Sequence, residues 1–250
     1  MLQKQGTNKK TLLTGASSGI GRETAKYLDR EGYRLVLLGR DEERLQETKE
    51  MLHGEGHRVI SVDLSKEHDL EFVFKEAVSD GLSLDGVVHC AGIGPIIPIK
   101  LLKRQIIEEV MRVNLYSFIE LVRHFSNKKY HNENSSIVAI SSIAAVQPEK
   151  CQTAYSMSKA ALNAAVEAMA IELAPKKIRI NTIMPGVVDT PMARAASQLV
   201  ANDDFISSVS ERQLLGIIKP EAIAGLCSFL LSSASSMITG RALYADGGRI

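Results

Sequence analysis

Short runs of β-branched residues and leucine alternate along the chain with longer amphipathic stretches. The runs fall at 10–14, 34–38, 58–62, 86–90, 136–141, 179–184 and 242–245. Between them, apolar residues recur with a helical period, predicting helices over 19–31, 42–53, 67–79, 101–127, 153–174 and 220–231. Strands alternating with helices in this way build βαβ units, so the expectation is a three-layer α/β architecture around about seven mostly parallel strands. No repeat, low-complexity segment or linker interrupts the rhythm, and residues 1–250 read as one domain. Only 189–218 departs from it, containing DTPMARAASQLVANDDF. A long stretch of this kind is expected to be a lid or substrate-binding loop, with a surface helix pair as the alternative.

The connection after the first strand carries chemistry. Thr14-Gly15-Ala16-Ser17-Ser18-Gly19-Ile20-Gly21 joins that strand directly to the first helix. Glycines allow a tight turn and close approach to a pyrophosphate, whose charge is favoured at a helix N-terminus. The expected cradle is Gly15, Ser17, Ser18, Gly19, Ile20 and Gly21. Its spacing, G-x-x-x-G-x-G, differs from the common G-x-G-x-x-G pattern. Asp63, Ala91-Gly92, Ser142 and Pro185-Gly186 each follow a predicted strand and so fall on the same sheet edge. Ligands bind at that edge in doubly wound, Rossmann-type sheets.

Composition narrows the function classes. Of 250 residues, 45% are hydrophobic and 24% charged, with a formal net charge of +1, which supports a sizeable core rather than disorder. A near-neutral chain offers no electrostatic footprint for nucleic acid or an anionic membrane. Cys90, Cys151 and Cys227 form no CxxC pair, so neither a disulfide framework nor a zinc site is expected. His53 and His57 are four apart, but Gly54 and Gly56 between them argue for a loop, and no metal is expected there. The opening MLQKQGTN lacks the apolar stretch of a signal peptide, and no run reaches membrane-spanning length. A cytoplasmic protein is the expectation.

Tyr155 and Lys159 open a predicted helix on one face, four residues apart. An ordinary tyrosine, with a pKa of about 10, is too weak an acid for proton transfer at neutral pH. Lowering it to about 7 requires about 4 kcal/mol of preferential phenolate stabilisation. A lysine charge about 4 Å away supplies about that much at an effective dielectric near 20.

Taken in order along the chain, TGASSGIG, MRVNLYS, AISSIAA, YSMSK, PGVVDT and TGRALYADGG resemble the compact branch of the short-chain dehydrogenase/reductase family, including its 3-oxoacyl-carrier-protein reductases. The resemblance implies a tetrad of Asn114, Ser142, Tyr155 and Lys159. It makes Tyr155 the acid/base at the substrate oxygen and Ser142 the hydroxyl that positions it. Lys159 lowers the tyrosine pKa and holds the nicotinamide ribose, and Asn114 anchors a water. Asp63 with Leu64 borders the adenine, and Val188 and Thr190 hold the carboxamide. The implied substrate is a small carbonyl or alcohol, and the implied assembly is a homotetramer or homodimer through the alanine-rich helix that carries Tyr155.

Two departures from the family stand out. Its Asn-Asn-Ala-Gly reads His89-Cys90-Ala91-Gly92 here, and His89, ending a buried strand, is expected to be a satisfied structural histidine. At the end of the second strand stands Arg40 where NAD enzymes carry an acid, which favours NADP(H) over NAD(H). Ser18 stands where many NADP-type relatives are basic. Asp41 could compete for a ribose hydroxyl, or simply cap the next helix. The expected function is hydride transfer between NADP(H) and a carbonyl or secondary alcohol. An NAD-dependent alcohol dehydrogenase and a non-catalytic dinucleotide sensor are the alternatives.

Overall fold

Alternate residues of the central strands face different helices, which is why the runs are apolar at consecutive positions. The computed structural model describes residues 9–66, 70–199, 209 and 211–249; the opening octapeptide and 67–69 lie outside these. Strands β1 (Lys10–Thr14), β2 (Arg34–Gly39), β3 (Arg58–Ser61), β4 (Leu84–His89), β5 (His131–Ile140), β6 (Arg179–Pro185) and β7 (Ala242–Ala245) form one sheet. Their order is β3-β2-β1-β4-β5-β6-β7, and every pairing is parallel.

Leu12, Val36, Leu38 and Val87 pack on one face, against α3 (Glu71–Ala77), α5 (Ser117–Phe125) and α6 (Thr153–Leu173) through Phe74, Phe118 and Leu162. Their neighbours Leu13, Leu35, Leu37 and Val88 pack on the other. There they meet Leu28 of α1 (Gly19–Arg30), Leu45 of α2 (Glu42–Glu50) and Ile223 of α8 (Pro220–Leu231). Each fully buried side chain of this size stabilises by about 1.5–3 kcal/mol. At the opposite end of the sheet, Arg179 donates to the carbonyls of Leu230, Ser232 and Ser235 at 2.9–3.0 Å, satisfying the end of α8.

The helix expected over 101–127 is divided. It comprises α4 (Arg104–Met111), a π turn at Arg112–Tyr116 and α5, and the π turn carries Asn114. A π turn widens the helix and re-aims its side chains, and such turns concentrate at functional sites. The region 189–218 is also more regular than a loop: α7 occupies Pro191–Leu199, capped by Thr190 Oγ1, which accepts the Ala193 amide at 3.2 Å. Of its remainder, 200–208 and 210 lie outside the described residues. The loop at 51–57 is tied down by Asp29, whose carboxylate accepts the His53 and Gly54 amides at 2.9 Å and pairs with His57 Nε2 at 3.0 Å. That use of His57 explains the two intervening glycines as loop geometry.

Candidate active site

The strand order reverses between β1 and β4, and the carboxyl ends of these two strands open a crevice there. It widens into a cavity of about 980 Å³. Gly15, Ser17, Ser18, Gly19, Ile20, Gly21, Arg40, Asp63, Leu64, Ala91, Gly92, Ser142, Tyr155, Lys159, Pro185, Gly186, Val188 and Thr190 all line it. The structure brings these expected site residues together; Asn114 alone sits behind the wall, fully buried.

The phosphate loop is held by main chain meeting main chain. A Cβ on Gly21 would lie 2.1 Å from the Gly15 carbonyl oxygen, and Gly15 adopts φ +66° against the Ala91 amide. At the N-cap of α1, Ser18 gives no side-chain hydrogen bond, so the first amides of the helix have no side-chain partner beside the cavity. Arg22, which sequence reasoning missed, braces the loop from behind. It donates to the Ser17 carbonyl at 2.8 Å and to Thr48 Oγ1 at 2.9 Å, with Glu47 neutralising it.

At the end of β2, Asp41 accepts the Arg44 amide at 3.1 Å and caps α2. Its carboxylate is thereby committed to the helix. Arg40 and Arg44 both line the cavity, and neither guanidinium has a hydrogen bond or ion pair among the described residues. Asp63 turns inward on Ser65, whose amide and hydroxyl donate to it at 3.0 and 2.7 Å, and these bonds hold its carboxyl below the usual range.

Two carboxamides brace opposite walls. Asn114 Oδ1 accepts the Ile93 amide at 2.8 Å, while Nδ2 donates to the Ile93 carbonyl and to Ser158 Oγ, both at 2.9 Å. The side chain thereby ties the Ile93 loop to the first turns of α6. Gln213 does the same for the Pro185-Gly186 loop: Oε1 accepts the Val187 amide at 2.8 Å and Nε2 donates to its carbonyl at 3.2 Å. Gln213 was not legible in the sequence, where it lies outside every motif. Gly94 was missed too: a Cβ there would stand 3.1 Å from Tyr155 Cδ2.

Tyr155 is half-buried, and burial raises its phenol above the ordinary value; a hydrogen bond with Ser142 opposes the rise. Lys159 lies with Nζ 5.8 Å from the Tyr155 ring centre and donates to the Ile140 carbonyl at 2.7 Å. Burial lowers this ammonium to about 8. The ammonium therefore sits over the Tyr155 ring while one of its N–H groups donates to a buried main-chain carbonyl.

His89 is only half satisfied. Nδ1 meets Thr14 Oγ1 at 3.0 Å, but Nε2 has no partner, and burial pushes the imidazole down to about 3. Its ring lies tilted against Phe118 with centroids 5.2 Å apart, and an imidazole held that low is a poor proton acceptor at neutral pH.

Comparison with known proteins agrees with this geometry. A family model described as Enoyl-(Acyl carrier protein) reductase matches residues 15–249. Glucose 1-dehydrogenase of Gluconobacter oxydans is 32% identical over 247 residues, covering 96% of this chain and 91% of that protein. The solved structure of 4-hydroxyisoleucine dehydrogenase complexed with NADH superposes with TM-score 0.86 at 28% identity, covering 96% of this chain and 98% of the other. That of 3-ketoacyl-(acyl-carrier-protein) reductase from Brucella melitensis, complexed with NADH, superposes with TM-score 0.84 at 30% identity and the same coverage. With matches through nearly its whole length and close superposition on both solved structures, the chain belongs to the short-chain dehydrogenase/reductase family of nicotinamide-dependent oxidoreductases.

Proposed function

We propose that the enzyme moves hydride between NADP(H) and a carbonyl or secondary alcohol, with Tyr155 as the general acid and base. One observation carries this reading: Tyr155, Ser142 and Lys159 line the same cavity as the phosphate cradle. The uncapped amides of α1 and the close main-chain approach at Gly15 and Gly21 suit a pyrophosphate. When bound, the dinucleotide supplies or accepts the hydride. In reduction Tyr155 gives its phenolic proton to the substrate oxygen, and in oxidation it takes one from the alcohol. Ser142 hydrogen-bonds the same oxygen and steadies the phenol. Lys159, held over the Tyr155 ring, stabilises the phenolate and holds the ribose hydroxyls. Asn114 positions the Ile93 loop and α6 rather than touching substrate.

The preference for NADP(H) is read from this chain's own β2 end, since both structural neighbours named above hold NADH. Two guanidiniums without a hydrogen bond or ion pair among the described residues suit a 2′-phosphate, and Asp41 already accepts a helix amide on one oxygen. The same reading takes 1–250 as one domain, with 189–218 walling the substrate end. It also includes a homodimer or homotetramer through α6, where Ile171 is 79% exposed, and a reducing cytoplasmic setting suited to three free thiols. Sedimentation velocity measures the assembly.

The decisive experiment is Tyr155→Phe. NADPH binding, followed by fluorescence, should be unchanged while turnover falls by about a thousandfold. Retained turnover would assign proton transfer to another group, and equal affinity for NADH and NADPH would remove the cofactor assignment.

A further inference from the structure

The substrate end of the cavity carries a charge arrangement that hydride transfer does not use. Glu149, in the loop between β5 and α6, places Oε1 2.9 Å from Arg212 Nη1 and against Arg249 Nη2. All three residues line the cavity, beside Gln147, Lys150 and Gln152. Arg249 is the informative member: its side chain is 9% exposed, against 58% for Arg212. Its main chain is held in place by an antiparallel bridge to Gln213, the residue that also braces the Val187 loop.

A guanidinium cannot discharge by losing its proton and presents five N–H donors. Burying one in a ligand cavity is unfavourable unless counter-charge meets it. Among the described residues Glu149 is the only carboxylate paired with it, and Arg212 shares the same oxygen, so one carboxylate meets two guanidiniums. Lys150 adds a further positive charge. Of the other described cavity carboxylates, Asp41 and Asp63 line the wall near Arg40, and Glu109 is exposed on α4. Among the described residues, this part of the wall carries more positive than negative charge.

We propose that Arg249 and Arg212 form a subsite for a substrate carboxylate, so that the physiological substrates are oxo acids and their hydroxy-acid counterparts. This rests on the carbonyl-reductase reading above. Glu149 itself shows the fit, since a carboxylate oxygen already sits between the two guanidiniums. A substrate carboxylate takes the N–H donors of Arg249 that Glu149 leaves open.

The test compares a chain-length series of oxo acids with their methyl esters, under saturating NADPH and again under saturating NADH. The wild-type enzyme should favour the best acid over its ester by about tenfold or more in kcat/KM, the size of one charge-assisted contact. Arg249→Gln should bring that ratio to about one. Glu149→Gln, which frees both guanidiniums, should raise it. A residue that merely pins the chain end would change acid and ester alike and leave the ratio unmoved, which would overturn the proposal. A second readout avoids turnover: glutarate should bind the wild-type protein by calorimetry and not Arg249→Gln. Esters reduced without any preference for acids would sink the subsite while sparing the redox reading. Glutarate binding that needs Arg249, with no carbonyl reduced, would do the reverse.

Discussion

The two ends of the cavity are made of different material. Around the phosphate cradle, the walls are main chain: the 14–21 turn after β1, the uncapped amides of α1 that it leads into, and the Ala91-Gly92 step after β4. At the substrate end, walls are side chains that arrive from distant segments: Gln213 on the Val187 loop, and Arg212 and Arg249 on Glu149. A main-chain wall is rigid because a strand and a helix fix both of its ends, and it recognises what every dinucleotide has in common. A side-chain wall can be rebuilt by single substitutions without disturbing the sheet, which makes it the natural seat of substrate choice.

The contrast breaks most violently at Gly21. Alanine there would place its Cβ 2.1 Å from the Gly15 carbonyl oxygen, with no flexible atom to yield. Gly21→Ala should weaken NADPH by about a hundredfold or more in a fluorescence titration. Unchanged affinity would show that this wall is not rigid. Gln213→Leu probes the other end. It leaves the part-buried Val187 amide without its side-chain partner, a loss of about 1 kcal/mol. NADPH affinity should fall by about tenfold, while that of 2′,5′-ADP, which lacks the nicotinamide half, should hold. Equal losses for both ligands would mean that Gln213 supports the whole cavity instead of one end.

The smallest effect concerns pH and the floor beneath the phosphate loop. His89, held at about 3 by burial, is neutral in the folded protein across the range pH 5–7. An unfolded histidine takes up a proton at about pH 6.5. Above that pH the neutral state of His89 costs the fold nothing. As pH falls below it, the unfolded chain binds a proton that the folded chain refuses, and stability drops. The slope approaches about 1.4 kcal/mol per pH unit, or about 3–6 °C in Tm. Differential scanning calorimetry between pH 7 and pH 5 should show the decline, and His89→Asn should flatten it. An unchanged slope in that variant would mean that His89 is protonated in the fold.

Legibility followed sequence distance. The seven strands, the six principal helices and the phosphate loop could be read because each is written within a contiguous window: apolar runs, helical periods, and a glycine turn between strand and helix. Tyr155 and Lys159 could be paired because four residues span about one helical turn. The division of 101–127 at the π turn was hidden, since a π turn is selected by what Asn114 reaches across the fold, not by any local propensity. Helix α7 was hidden behind a proline and a mixed stretch whose cap, Thr190, is itself part of the site.

By itself the amino-acid order determined the sheet, the glycine turn and the placing of Tyr155 and Lys159 on one helix face, because backbone geometry and periodicity are local physics. Only the tertiary structure decided how ambiguous groups are used. It commits Asp41 to a helix cap, Lys159 to the Ile140 carbonyl and Asn114 to the Ile93 backbone. It also brings Glu149 to Arg212 and Arg249 across separations of 63 and 100 residues, distances at which no spacing rule operates. A charged or amide side chain takes the partner that desolvation forces upon it, and that partner is chosen by packing.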